Sequence, residues 1–62
     1  MNKKERKEIA KKIAKAEKII STSTDKDEIA KAKAQILKIS SQIKDLEDLM
    51  SIDEMVQDLL DS

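Results

Sequence analysis

An all-α protein, an antiparallel helical hairpin followed by a short C-terminal third helix, is the fold this chain predicts. Three observations carry that expectation. Gly and Pro are both absent from the 62 residues, and the tight turns of β folds depend on them for their special backbone angles. Ala, Leu, Glu, Lys, Gln, Arg and Met supply 36 of the 62 residues; these side chains lose little rotamer freedom on a helix. Apolar residues also recur at steps of three and four, the signature of one helical face.

The first helix is expected over 3–20. Ile9, Ile13, Ala16 and Ile20 form its apolar stripe, and Lys4, Lys7, Lys11, Lys15 and Lys18 fall on the opposite face. Ser21, Thr22, Ser23 and Thr24 follow. Their hydroxyls compete for backbone hydrogen bonds, which marks 21–24 as a loop.

A second helix is expected over 25–50. Thr24 or Asp25 can cap it; Asp25 with Glu28 supplies a cap acceptor and a carboxylate three residues on, and Asp27 adds negative charge where the helix dipole favours it. Ile29, Ala32, Ile36, Ile39, Ile43, Leu46 and Met50 then follow at alternating steps of three and four, a coiled-coil-like heptad seam. At Ser51 the pattern changes phase. Ile52, Met55, Val56, Leu59 and Leu60 would point about 150° from that seam on one continuous helix. Ser51 with Glu54 forms an S-x-x-E capping box, so a third helix is expected over 52–61. The whole chain, 1–62, reads as a single small helical domain, a three-helix bundle.

The first helix runs out of apolar residues before the second does, so the third is expected to fold back over Ile39, Ile43, Leu46 and Met50. Ala10 and Ala14, with Ala30, Ala34 and Leu37, make a second narrow stripe beside the main seams. A chain this short with no aromatic residue needs further stabilisation, so the stripe is read as the contact of a homodimer.

Net charge is zero, yet the charges are segregated. Residues 1–20 hold eight basic and three acidic side chains, whereas residues 45–62 hold seven acidic and none basic. The basic end is expected near Asp45, Glu47 and Asp48 in the folded chain.

Several function classes lack their chemistry. Without Cys or His, disulfides and zinc sites are impossible. Asp45, Glu47, Asp48, Asp53 and Glu54 could ligate a hard cation, but a calcium loop needs a Gly and none is present; acidic helix surface is the preferred reading. Catalysis lacks His, Cys and Tyr, and so short a chain has no pocket to desolvate paired carboxylates. No enzyme activity, cofactor, metal or small-molecule substrate is therefore expected. No apolar run exceeds two residues, so no membrane span is expected and the cytoplasm is the default location.

Two surfaces remain as candidate sites. Ile52, Met55, Val56, Leu59 and Leu60, on an acidic background, match a helix that docks into a partner's groove. The same residues also suit the third wall of the protein's own core, the reading favoured by the uncovered seam. Lys4, Lys7, Lys11, Lys15 and Lys18 form a basic stripe able to contact nucleic acid or an acidic partner. Against nucleic acid stand the lack of stacking aromatics and the single Arg. Ser41-Gln42-Ile43-Lys44-Asp45 resembles, at three of its five positions, the S-Q-E-L-D signature of a family of small bacterial helical hairpins. Members of that family dephosphorylate response regulators. Ile43 and Lys44 stand where the family has Glu and Leu; this shifts the apolar seam by one position and turns the Asp to another face, so no membership is claimed. The functional expectation is a small regulatory protein that binds a protein partner through its helices, by scaffolding or inhibition. Its size and plain surface also suit an inhibitor encoded by a phage or other mobile element. The alternative is a nucleic-acid-associated protein.

Overall fold

The computed structural model describes residues 1–61. Among them it contains three α-helices and no strand: α1 (Lys3–Thr22), α2 (Lys26–Gln42) and α3 (Leu46–Asp61). No helix is long and apolar enough to cross a membrane.

Each helix starts on a side-chain acceptor. The side-chain Oδ1 of Asn2 accepts from the Glu5 amide at 2.8 Å, Asp25 Oδ1 from the Asp27 amide at 2.9 Å and Asp45 Oδ1 from the Glu47 amide at 2.9 Å. Each cap satisfies one of the donors that a helix N-terminus leaves unpaired. Asp27 and Glu28, then Glu47 and Asp48, put negative charge into the first turns of α2 and α3.

The helices end without glycine. No described residue has a positive φ, so the left-handed cap common at helix C-termini is not used here. Ser23 and Ile43 turn instead into extended backbone, at φ −78°, ψ 145° and φ −90°, ψ 111°. The Ser23 amide still donates to the Ile19 carbonyl at 2.8 Å. Ser21 and Thr22 belong to α1 rather than to the loop. Their hydroxyls donate back to the Lys18 carbonyl at 3.1 and 2.6 Å, bonding that the helix conformation permits. The first loop is therefore 23–25, not 21–24.

The larger correction concerns the second connection. The chain breaks at 43–45, six to eight residues before the expected capping box at Ser51, so α2 ends at Gln42 and α3 is 16 residues long rather than a short appendage. Ser51 lies in mid-helix. The heptad seam is thus divided, with Ile29 to Ile39 on α2 and Leu46 and Met50 on α3. Asp45 provides the cap, and Leu49 is the reason the earlier start is favoured. Taken from Leu46, one α3 face carries Leu49, Ile52, Val56, Leu59 and Leu60, whereas Leu46 and Met50 lie about 90° or more from its centre. Those two are exposed, at 68% and 60%.

Helix α1 is the central element. It packs against both α2 and α3, while α2 and α3 make little contact with each other. The overall dimensions are 34 × 26 × 15 Å. The 26 Å width exceeds the ~15 Å of three parallel axes packed in a triangle at the usual 8–10 Å spacing. Ala10, Ile13, Ala14, Ile52 and Val56 form the buried core, with Ile9, Ile36, Ile39, Ile43, Met55, Leu59 and Leu60 packed half-buried around it.

Candidate functional site

The five apolar positions singled out on the third helix are divided by the fold. Ile52 and Val56 are buried against Ala10, Ile13 and Ala14 of α1. Met55, Leu59 and Leu60 are half-buried at the edge of the same cluster. Ile52 is the only large side chain among the described residues with no exposed surface. The five are therefore brought together by α1, on which α3 lies.

Ala10 and Ala14 are buried in this contact, so half of the alanine stripe expected to mediate dimerisation is already covered by α3. The other half, Ala30, Ala34 and Leu37 on α2, is exposed, with Leu37 at 72%.

One ionic cluster ties α3 to α1. An Arg6 guanidinium nitrogen (Nη1) donates to Asp48 Oδ1 at 3.3 Å, and the Met1 amine lies 3.8 Å from the other carboxylate oxygen. The meeting of basic and acidic ends is thus realised between α1 and α3. Arg6 Nε is buried without a hydrogen-bond partner.

All five lysines of the basic stripe are exposed. Among the described residues no lysine forms an ion pair; the acidic contacts go to Arg6 and the Met1 amine. Grooves flank the stripe on both sides. Lys11, Lys15 and Lys18 line one of about 300 Å³ between α1 and α3, with Ala14 and Leu59. A larger groove of about 590 Å³ lies between α1 and α2. Lys12, Lys15 and Lys38 edge it, and Ala16, Ile19 and Ile39 give it an apolar base. Sequence reasoning missed Lys12 and Lys38 because the groove exists only once α2 is laid against α1. It also missed Leu46 and Met50 as exposed residues, having placed them in the seam.

The carboxylates are spread along α3, and no described group of three or more acidic side chains is gathered as a metal site would require. Asp45 spends one carboxylate oxygen on the α3 cap, and the Ser41 hydroxyl donates to the Lys38 carbonyl at 2.8 Å. The segment resembling S-Q-E-L-D therefore spans the end of α2, the loop and the α3 cap rather than one helical face. Compared with protein-family models, with curated proteins and with solved structures, the chain matches none.

Proposed function

We propose that this protein is a non-catalytic regulatory or adaptor protein that binds a protein partner through its helical surface, by scaffolding or occlusion. The supporting observation is how much surface the three helices leave uncovered. The accessible area is 4871 Å², whereas a folded monomer of 7.0 kDa ordinarily exposes about 4000 Å². The excess is comparable to the ~800 Å² that each partner contributes to an interface of standard size. Leu37, Leu46 and Met50 are the most exposed large apolar residues among those described. An inhibitor encoded by a mobile element is one setting that such a surface suits.

Site-specific photocrosslinking tests this reading. A photoreactive residue at 37, 46 or 50 should give discrete protein adducts in extracts of the source cell, and one at exposed Asp27 or Lys31 should not. Equal labelling from all five positions, or none, would contradict it.

A second reading rests on the exposed lysine face of α1: contact with nucleic-acid phosphates. Such binding should weaken steeply as salt rises, because counterions are released on association. Retention of a DNA or RNA duplex independent of salt, or no retention at low salt, would remove it.

A further inference from the structure

The α1–α2 groove and the outer face of α3 are opposite in charge and alike in having an apolar centre. The groove lining holds three lysines and no carboxylate, around Ala16, Ile19 and Ile39. On α3, Leu46 and Met50 stand one turn apart, both more than half exposed. Glu47, Ser51 and Glu54 border Met50 on the same surface, and Asp53 follows three residues after Met50. Residues one turn apart lie on the same side of a helix. The result is an apolar ridge with carboxylates along it, the pattern a helix needs to enter a groove edged by ammonium groups.

We infer that the α3 ridge of one molecule docks into the α1–α2 groove of a second copy of this chain. The inference rests on the protein-binding reading above and names the partner. Charge complementarity supports it. Seven carboxylates and no basic residue occupy 45–62, and Lys12, Lys15 and Lys38 are without an ion pair among the described residues. The excess accessible area supports it as well. Within one molecule the ridge cannot reach the groove, because α2 and α3 flank α1 with little mutual contact and Leu46 and Met50 lie off the face that packs on α1. Ridge and groove are different patches, so the contact is head-to-tail. It is not the self-complementary contact of a twofold dimer, and copies can add successively.

Sedimentation equilibrium of the full chain tests this, with two sets of variants. The wild type should show an average mass that climbs above 7.0 kDa with concentration, and less so as salt is raised from about 50 to about 500 mM, where screening shortens the reach of charge. Met50→Lys removes the ridge, and Lys12→Glu with Lys38→Glu removes the groove. All three positions are exposed, and far-ultraviolet circular dichroism checks that the helices persist. Each variant alone should remain monomeric. Mixed, they should form a complex of one copy each that grows no further, because one supplies the intact ridge and the other the intact groove. A wild type that stays monomeric at millimolar concentration overturns the inference. So does association that survives both variants, or a mixture that stays monomeric while the wild type associates. If either variant loses its helices, Leu46→Ser and Lys12→Ser replace it under the same criteria. Crosslinks from positions 46 and 50 to a larger protein, together with a monomeric wild type, would exclude the second copy while leaving the protein-binding reading standing.

Discussion

The two sides of α1 are packed differently. On the α3 side, small meets large: Ala10 and Ala14 admit Ile52 and Val56, and all four are buried. Alanine lets two helices approach closely, and the branched side chains fill the space that close approach leaves. Arg6 and Asp48 hold the end of that contact. On the α2 side, Ala16 and Ala32 are buried, but Ile19, Ile29, Ile36 and Ile39 are only half-covered and a groove runs along the seam. Buried alanines contribute little apolar area, so the α2 contact should be the weaker one. The segment distant in sequence buries the larger side chains, and the neighbour joined by a three-residue loop leaves its isoleucines half-covered.

The contrast is tested most forcefully by truncating its two isoleucines. Ile52→Ala should cost about 2–5 kcal/mol, the range for a fully buried aliphatic side chain, and in a chain of this size that approaches the whole stability. Ile36→Ala should cost about half as much, because its side chain is only partly removed from water. Chemical denaturation of both variants gives the comparison. Equal losses would show that α2 packs as tightly as α3.

Smaller effects follow at the α2–α3 junction. Asp45→Ala should destabilise by about 0.5–2 kcal/mol through loss of the α3 cap. Ser51→Ala should be neutral or stabilising by a few tenths of a kcal/mol, because Ser51 sits inside a helix, where Ala is the better former. Thermal melts of the two would reverse in order if the helix began at 52.

The junction also shows what the sequence made legible and what it concealed. Helix class, the 23–25 turn within two residues, and the α1 and α2 N-termini follow from composition, apolar spacing and caps. The second break was misplaced although its signal was present. Asp45-Leu46-Glu47-Asp48 repeats the acid pattern of Asp25-Lys26-Asp27-Glu28, the pattern that marks the start of α2. The heptad from Ile29 to Met50 outweighed it, because an unbroken period reads as one helix whether or not the chain turns within it. Leu49 was the contrary residue: it shares a face with Ile52 and Val56, and its half-burial follows from the earlier start. For the candidate site, the lysine face of α1 was readable from spacing alone. The groove edged by Lys12 and Lys38, and the exposure of Leu46 and Met50, depend on how helices distant in sequence are placed, which periodicity does not encode.

Residue-resolved amide hydrogen exchange most directly tests the arrangement in which α1 and α3 form the firm pair and α2 the looser flank. Exchange reports the free energy of local opening, which follows packing density. Amides in the middle of α1 and α3 should be the slowest, those of α2 between Ile29 and Ile39 measurably faster, and those at 43–45 as fast as a loop. Protection in α2 equal to or greater than that in α3, or protection running unbroken through 43–45, would contradict it.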